Sequence, residues 1–565
     1  MTAKRLINYE QDMCRKIFAF ALLTAMFAGC HVLIGITDTT SSAELTVTID
    51  GDGAGSIYSM PPGIECGETC VATFQVGTEV TLTPASALAS SFTGWSGDGE
   101  CMGRGPCTLV VDSTYAVHAH FEQGGKVRAV AHFGGPDGDF VLEASTDNEG
   151  NRILGGNFRD VTNLGGPSLS SNGDTDVFIA KFDRDGNHIW SVSFGGIGRD
   201  ELHGLQLDGD GNIFASGEYA GTLTIGSTTL PRGASIDTFV AKFAAATGEP
   251  MWAQGFVGQN VVRTHGIAVD GDNNVIVSFY FKGSSNFGKG DETASAGDDT
   301  VLAKYKGQDG GHIWSKTFGS IGETAADDQI TNVVCDIHDN SIVITGYFVD
   351  TINLGGNNLV QTGDGRNMFL ARYDTNGQHI WSRGHGTDED VFPGSSCLDS
   401  DGDIIVSGRF SGRISLGGDD FISTDDDDIF LARYSRVNGA HRWSRVWSGA
   451  GYKGITGASL LSSGDIVVSG FYSLDTDFDG MLMSNATRTN LFAARVADVD
   501  GTLVWLTTFG DEQGAGGGRG RAISVDPYDD SVLLLGTFND TVDFGIGDAF
   551  QSAGAEDIAI VELSP

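Results

Sequence analysis

A repeat of about 62 residues runs through most of this chain and constrains its fold more than any other feature. Six copies contain a tryptophan with a glycine four residues before it, and a segment of the type Asp-x-Phe-x-Ala-Lys precedes that glycine in several copies. A fixed period of this length indicates a repeat architecture, in which each unit packs against its neighbours. The tryptophans that mark the copies are Trp190, Trp252, Trp314, Trp381, Trp443 and Trp505.

One repeat, residues 190–251, contains four short strand-like segments and shows no helical period. The segment from Asp208 to Asn212 is predicted to be a hairpin turn that joins the second segment to the third, because glycine and asparagine can adopt the positive φ angles that such turns need. Several segments are apolar almost throughout, which is typical of strands buried on both faces. Each repeat is therefore predicted to form four antiparallel strands. The four segments are 190–194, 202–207, 213–219 and 238–243.

The two ends of the repeat region predict a closed ring and not an open solenoid. The segment from Arg128 to Gly135 matches the tryptophan strand, whereas the last unit, which ends with Asp557 to Leu563, lacks that strand. A ring uses the N-terminal strand to complete its last blade, whereas a solenoid needs polar caps. We therefore predict an all-β fold in which residues 126–565 form a seven-bladed β-propeller of four-stranded antiparallel blades. The period excludes WD40 repeats of ~40–45 residues and kelch repeats of ~50 residues.

The repeat resembles a bacterial β-propeller repeat family of surface proteins and lipoproteins. The resemblance rests on the motifs Phe-Gly-Gly, Asp-x-x-Gly-Asn, Leu-Gly-Gly and Asp-x-Phe-x-Ala-Lys-Tyr, and this family implies no single activity. Blade six departs from the pattern, with Phe478-Asp479-Gly480 in place of Leu-Gly-Gly. The Gly-x-x-x-Trp spacing also resembles the tryptophan-docking motif of quinoprotein propellers. We interpret that second likeness as shared turn geometry and not as a shared cofactor.

The N-terminal residues predict export. Arg15 and Lys16 precede an apolar segment, residues 17–28, which is typical of a signal peptide; we place this signal at residues 1–30 and a polar linker at 31–44. Ala28-Gly29-Cys30 resembles a bacterial lipoprotein cleavage site, which implies a lipid on Cys30. In the alternative interpretation, residues 17–36 form an uncleaved anchor. Either way the rest of the chain is expected outside the inner membrane, lipid-anchored at the outer membrane or cell surface, with secretion as the alternative.

Residues 45–122 are predicted to form a separate small β domain. It resembles a divergent internalin-type B-repeat, also called the bacterial repeat domain, on the motifs Gly53-x-Gly55, Gly77-Thr78, Gly94-Trp95 and Ala119-His-Phe121. That resemblance implies a stalk or adhesion module.

Cysteines in this small domain predict disulfides, because small exported domains commonly gain stability from them. Zinc is the alternative, but the cysteine spacing fits zinc sites poorly. Four cysteines allow three connectivities, of which we favour Cys66–Cys70 and Cys101–Cys107. Cys335 and Cys397 lie at matching points of two blades, where two free thiols and a bridge both remain open.

Aspartate-rich turns are the candidate metal sites. They place oxygens at alternate positions, as Ca²⁺ ligands require, but no closing glutamate follows them, and aspartate also favours hairpin turns for backbone reasons. Turn chemistry is the preferred interpretation and Ca²⁺ the alternative; no other cofactor is predicted. The candidate ligands are Asp208, Asp210, Asn212, Asp270, Asp272, Asn274, Asp399, Asp401 and Asp403.

Net charge restricts the choice of partner. The formal charge is −40, with 74 acidic and 34 basic residues, which argues against nucleic acid because phosphate binding requires clusters of lysine and arginine. Loops that join one blade to the next vary most between repeats and gather on one face, so we predict a partner-binding surface there. Its candidate residues are Asp200, Asp328, Asp390, Lys453, Arg519 and Arg521.

These observations favour a non-catalytic binding or scaffold protein at the cell surface, a monomer that recognises a protein or a glycan. The alternative is an extracellular enzyme, either a glycan hydrolase or lyase or a quinoprotein-like oxidoreductase. A deep axial pocket with a buried pair of carboxylates would favour the enzyme, whereas a shallow, wet channel would favour binding.

Overall fold

The computed structural model describes residues 41–565 except 68, 100, 295–296, 322–326, 387, 425–426, 485–487, 511–516 and 548, and except the side chains of Cys66 and Thr69. The predicted signal with Cys30 and most of the predicted linker lie outside the described residues. In the part of the chain that the structure describes, no helix has the length and apolar character needed to cross a membrane.

The small N-terminal domain is a sandwich of two four-stranded sheets. Its alternating strands turn apolar side chains inward around Trp95 and Phe121, while the first strand pairs in parallel with the last. The predicted disulfide between Cys101 and Cys107 is present, and Cys70 is also disulfide-bonded. The strands are Ser42–Gly51, Gly55–Met60, Glu65–Cys66, Thr69–Gln75, Thr78–Ser86, Ser90–Gly97, Cys107–Val111 and Tyr115–Gln123.

The rest of the described chain forms seven large sheets, here called blades one to seven, each built on four antiparallel strands, together with short two-stranded hairpins. The innermost strands contact one another in sequence, and the strand of blade seven also contacts that of blade one, which closes a ring. The predicted all-β propeller fold is therefore confirmed. The inner strands are Asp139–Thr146, Asp200–Leu207, Val262–Val269, Gln329–Asp336, Val391–Leu398, Lys453–Leu460 and Gly517–Val525.

The second and third strands of the blades form the core, because neighbouring blades cover both of their faces. The second strands are Arg152–Phe158, Ile213–Ala220, Val275–Phe281, Ser341–Phe348, Ile404–Phe410, Ile466–Tyr472 and Val532–Asn539. The third strands are Asp176–Phe182, Ile236–Phe243, Asp299–Tyr305, Asn367–Tyr373, Asp428–Tyr434, Asn490–Val496 and Asp557–Leu563. The outer strands are His188–Phe194, Pro250–Phe256, His312–Phe318, His379–His385, His441–Gly449, Leu503–Phe509 and, for blade seven, Val127–Phe133.

A short hairpin lies between the second and third strand of every blade. In blade six, where the Leu-Gly-Gly motif is replaced, this hairpin pairs with the outer strand of blade five, so that a six-stranded sheet results. The hairpin strands are Val161–Thr162 with Leu169–Ser170, Thr224–Ile225 with Thr228–Thr229, Ser284–Asn286 with Asp291–Thr293, Thr351–Ile352 with Leu359–Val360, Arg413–Ser415 with Asp420–Ile422, Thr476–Phe478 with Met481–Met483, and Thr541–Val542 with Phe550–Gln551.

The repeated tryptophan fastens each blade to the next. The Trp190 Nε1 donates to the Ala245 carbonyl at 3.2 Å, and the Lys181 Nζ donates to the same oxygen at 3.4 Å. Gly248 lies under the indole, where a Cβ would approach the ring to 2.7 Å; its φ of +70° also favours glycine. The same paired donation to one carbonyl recurs from blade two to blade five. The period of the sequence is thus the period of an inter-blade contact.

The propeller has two different faces. We call the end at which inter-blade loops enter the inner strands the loop face, and the opposite end, with the aspartate-rich turns, the turn face. The small domain sits against the turn face: Ser91 Oγ donates to the Pro565 carbonyl at 3.1 Å, Arg495 Nη1 donates to Ser91 Oγ at 3.0 Å, and Arg104 lies 3.8 Å from Asp530. The loop face therefore carries no contact with this domain in the described residues.

Cys335 and Cys397 are free thiols that line one cavity of about 640 Å³ at the turn face. Burial raises the pKa of each thiol to about 12, so both are protonated and unreactive at neutral pH. The sequence left open whether Cys335 and Cys397 form a bridge or stay free, and the structure contains two free thiols.

Candidate binding site in the axial channel

Every inner strand contains a β-bulge at the same depth in the ring. A bulge leaves a residue out of the hydrogen-bonded ladder and turns its side chain in a new direction. Residues from these bulges line a cavity of about 270 Å³ to which all the inner strands contribute, so it lies on the axis of the ring. The bulge residues at the cavity are Leu142, His203, His265, Thr331, Ser395, Thr456 and Arg521.

The cavity wall is polar and differs from blade to blade. Burial raises the pKa of the Glu143 carboxyl to about 8, and burial lowers the pKa values of His203 and His265 to about 4. At neutral pH these three groups are therefore mainly uncharged. Arg521 keeps its positive charge, although burial and the nearby Arg519 lower its pKa. The described part of the channel wall consequently has a positive character in a strongly acidic protein.

Two arginines from blade seven lie along this channel, Arg521 within it and Arg519 at its mouth on the loop face. The Nε of Arg521 is buried and has no hydrogen-bond partner. The Arg519 guanidinium lies over the rings of Tyr452 and Phe471, at 5.8 and 5.2 Å from their centroids. Within the residues described by the structure, neither arginine forms an ion pair. These two guanidinium groups are therefore available to an anion.

Arg519 is the last member of a row in which arginines alternate with aromatic rings across blades four to seven. Arg366 lies 5.3 Å from the ring centroids of Tyr347 and Phe392, and Arg409 lies 4.5 Å from Phe392 and 5.6 Å from Tyr452. These separations are those of cation–π interactions. Tyr452 is 45% exposed, so the row is accessible at the mouth. We call it the arginine–aromatic row; its members are Tyr347, Arg366, Phe392, Arg409, Tyr452, Arg519 and Phe471.

Sequence reasoning missed most of this row, although the repeats contained a signal for it. In each blade, one residue of the second strand lies opposite a residue of the inner strand at the mouth. In blade five this pair is Arg409 and Phe392. This residue follows a glycine in most blades, and it changes from Glu218 to Tyr347, Arg409 and Phe471 while its neighbours stay alike. Aligning the repeats at that glycine would have shown a variable position on an otherwise regular strand.

The predicted partner-binding residues fall into three groups. Arg519 and Arg521 lie at the mouth and in the channel. Asp390 lies beside Arg366 at 3.5 Å. Asp200 and Asp328 are buried and accept hydrogen bonds within their own loops, from the Gly196 N–H and from the Ser320 Oγ and the Val349 N–H; burial raises the pKa of each carboxyl to about 6.

Lys453 is the clearest correction to the predicted binding surface. Its side chain is fully buried, its Nζ lies 3.2 Å from Asp428 Oδ1, and it donates to the carbonyls of Gly449 and Gly451. A lysine with this many internal acceptors holds a loop together and does not present its charge to a partner. Lys453, Asp200 and Asp328 are therefore buried and not available to a partner as predicted, because all three form contacts inside the loops.

The contacts in the aspartate-rich turns favour a role in the hairpin backbone over calcium binding. The Oδ1 of Asp208 accepts the backbone N–H groups of Asp210 and Asn212, and its Oδ2 lies 2.7 Å from Lys242 Nζ. The first aspartates of the other two turns repeat this arrangement, Asp270 with Asp272, Asn274 and Lys304, and Asp399 with Asp401, Asp403 and Arg433. A buried cation from the third strand thus occupies the side of each carboxylate where a metal would bind. Calcium binding stays a prediction that this geometry disfavours.

An acidic pair lies in blade two, across the mouth from the arginine–aromatic row. Glu201 on the inner strand pairs directly with Glu218 on the second strand. His203 Nε2 lies 3.5 Å from Glu218 Oε1, and Arg263 Nε lies 3.8 Å from Glu218 Oε2. Burial raises the pKa of Glu218 to about 7. No sequence motif singled out these residues.

The closed ring of four-stranded sheets gives this chain a β-propeller fold. No family model matches it. An uncharacterized WD repeat-containing protein of Acanthamoeba polyphaga mimivirus is 23% identical over 498 residues, which cover 70% of this chain and 35% of the relative. The regulatory protein FlaEY of Caulobacter vibrioides is 25% identical over 320 residues, covering 53% of this chain and 32% of the relative. The chain thus spans about a third of the length of these curated relatives.

The mimivirus relative is named as a WD repeat-containing protein, whereas the repeat period of this chain is longer than that of WD40 repeats. Among solved structures, the Dos1 propeller has a TM-score of 0.38 at 9% identity and covers 76% of this chain and 94% of its own. BamB from Moraxella catarrhalis has a TM-score of 0.32 at 12% identity, with coverages of 85% and 93%. A quinohemoprotein alcohol dehydrogenase from Comamonas testosteroni has a TM-score of 0.33 at 10% identity, with coverages of 75% and 76%. These likenesses concern the fold alone.

Proposed function

We propose that this chain is an exported binding protein whose loop face recognises a carboxylated glycan. The observation that carries the proposal is the pair Arg519 and Arg521, which have no ion-pair partner in the described residues of a chain with a net charge of −40. A guanidinium group presents a fork of donors that matches a carboxylate, and such charge-assisted bonds are stronger than neutral ones. An anionic ligand would also relieve the repulsion between the two cations.

Aromatic rings in the same row favour a glycan over a small inorganic anion. Tyr452 and Phe392 present partly accessible rings beside the guanidinium groups. Such rings supply apolar contact area at low entropic cost, and sugar rings have an apolar face that can stack on them. The row extends over four blades, so it can contact several sugar units in succession.

The position of the small domain supports a role in which the propeller presents its loop face away from the anchor. Because this domain packs on the turn face near Ser91 and Arg104, the N-terminal side of the molecule lies opposite the loop face. In the proposal, the chain is anchored through Cys30 and presents its loop face outward as a monomer.

The binding test uses the full exported chain with polygalacturonate as the carboxylated probe and dextran as the neutral one. The double variant R519Q/R521Q is expected to bind polygalacturonate at least roughly tenfold more weakly, because each charge-assisted hydrogen bond contributes about 1.5–3 kcal/mol. Wild-type affinity should fall as salt rises. It should also fall as the pH passes about 8, since Glu143 then becomes negative in the same cavity as Arg521. Isothermal titration calorimetry measures all three effects.

The matched control for this test is R442Q/R445Q, which removes the same charge from the outer strand of blade five, far from the mouth. It should bind the probe like the wild type. Equal affinities for R519Q/R521Q and the wild type, or no binding of polygalacturonate at all, would contradict the proposal.

One observation favours the enzymatic alternative. The Glu201–Glu218 pair combines a carboxyl of raised pKa with a neighbouring carboxylate, as glycan hydrolases require. The polygalacturonate of the binding test can also be used to test this alternative. A fall in its chain length after incubation with the protein would assign the protein to the hydrolase or lyase class and not to the binding class.

The lipid anchor has its own test. In a bacterial host that processes lipoproteins, the wild type is expected to partition into the detergent phase, and Cys30→Ser into the aqueous phase, because the variant lacks the acylated thiol. Aqueous partitioning of both proteins would show that the chain is secreted or anchored differently.

A further inference from the structure

We propose that Glu201, His203 and Glu218 form a binding site for one divalent transition-metal ion such as Zn²⁺. One ligand atom from each of the three residues lies within 4.8 Å of the other two. Imidazole nitrogen and carboxylate oxygen are both ligands of Zn²⁺, and three protein ligands with one open position are typical of accessible zinc sites. This site is separate from the anion site of blade seven and does not depend on the proposed function.

The local structure explains why the three groups converge. Glu201 and His203 are two residues apart on the inner strand of blade two, and Glu201 belongs to the regular ladder just before the bulge. Glu218 stands directly opposite Glu201 on the neighbouring strand. The bulge between Leu202 and Gly204 frees His203 from the ladder, so its ring lies next to both carboxylates.

Two buried polar atoms of this cluster face each other without a hydrogen-bond partner. The Glu218 side chain is only 7% exposed, and its Oε1 has no hydrogen-bond partner. His203 Nε2 is also buried without one, although the two atoms are just 3.5 Å apart. A buried carboxylate oxygen and a buried ring nitrogen that face each other unbonded are costly. A cation between them would satisfy both and would separate the charges of Glu201 and Glu218.

Arginines contact both carboxylates. Arg199 Nη2 lies 2.5 Å from Glu201 Oε1, and Arg263 Nε lies 3.8 Å from Glu218 Oε2, which is not the oxygen nearest His203. Polar contacts from neighbouring residues are a regular feature of metal-ligating carboxylates. His203 also lines the axial cavity, so an ion here would keep an open position toward solvent.

This cluster differs from the aspartate-rich turns because one of its buried carboxylate oxygens has no lysine or arginine beside it. In those turns a lysine or arginine contacts the inner carboxylate oxygen at 2.6 to 2.7 Å, whereas Arg263 of blade three contacts only Glu218 Oε2 and leaves Glu218 Oε1 without a partner. The ligand set also contains a nitrogen, which favours zinc over calcium.

Equilibrium dialysis of the full, EDTA-treated chain against zinc chloride tests the site. Metal analysis of the wild type is expected to give about one tightly held equivalent of zinc. Glu218→Gln and Glu201→Gln, each nearly isosteric, should lower the zinc affinity by roughly tenfold or more. His265→Gln is the matched control, since this ring lies 6.1 Å from that of His203 and is outside the ligand set; it should retain wild-type affinity.

A second measurement guards against misfolded variants. Zinc should raise the melting temperature of the wild type and of His265→Gln, and should raise it much less in the two glutamate variants, because a ligand that binds only the folded state stabilises it. Absence of a tightly held equivalent in the wild type would overturn the proposal. Zinc affinity that is equal in the wild type and in both folded glutamate variants would overturn it as well.

Discussion

Deletion of residues 127–133 is expected to lower the melting temperature by roughly 10 °C or more and to make the protein aggregate. The strand Val127–Phe133 is the outer strand of blade seven, and it pairs antiparallel with Asp557–Leu563 from the other end of the chain. Without it, a third strand that is otherwise buried along almost its whole length becomes a free edge. Exposed, flat, apolar edges pair with other chains.

Two residues just before this strand receive the last tryptophan of the ring, and the strand holds them in place. Trp505 packs on Gly124 and Gly125, and Thr507 Oγ1 donates to the Gly125 carbonyl at 2.6 Å. In the other blades, the tryptophan meets the glycine of the next repeat in the same way. The deletion therefore removes a set of ladder hydrogen bonds and also weakens the contact between blades six and seven.

Differential scanning calorimetry and light scattering measure this effect. The control deletes residues 41–122 and keeps the strand; it should cause a smaller loss, since the small domain contacts the ring through few groups such as Ser91 and Arg104. If the strand deletion left the melting curve unchanged, the ring would not depend on its N-terminal closure.

Lys304→Met is expected to destabilise the propeller by about 3–5 kcal/mol, the usual cost of leaving one partner of a buried ion pair alone. Lys304 Nζ lies 2.6 Å from Asp270 Oδ2, and the exposed fractions of the two side chains are 4% and 0%. The same Nζ donates to the Thr375 carbonyl of the next blade at 3.1 Å, beside the Trp314 Nε1 at 3.1 Å. The substitution therefore leaves Asp270 buried without its cation and also loosens the contact between blades three and four.

Lys306→Met is the matched control, because Lys306 is exposed only two residues further along the chain. Its effect on the free energy of unfolding should stay within about 0.5 kcal/mol. Chemical denaturation of both variants supplies the comparison. Similar losses for Lys304→Met and Lys306→Met would mean that the buried pair does not fasten the blades.

Lys453 shows where reasoning from the sequence fails. The sequence predicts it in one of the variable inter-blade loops, and nothing near it in the sequence marks it as buried. Its partner Asp428 lies 25 residues earlier, at the start of the preceding blade's third strand. Only the packing of two blades brings the ammonium next to that carboxylate, and a basic residue with such a partner no longer contributes to the surface.

The sequence by itself determined the all-β propeller architecture, since its period, the Gly-x-x-x-Trp spacing and the Asp-x-Phe-x-Ala-Lys segment are local patterns that repeat with the strands they build. The channel and its mouth were decided only by the tertiary structure. Arg521, Glu143 and His203 come from three different blades. Arg521 and His203 are bulge residues and Glu143 directly follows one, and no local pattern in the sequence marks these bulges. Closing the ring brings together side chains that are hundreds of residues apart, so their burial, pKa values and unsatisfied atoms depend on neighbours that the sequence does not place beside them.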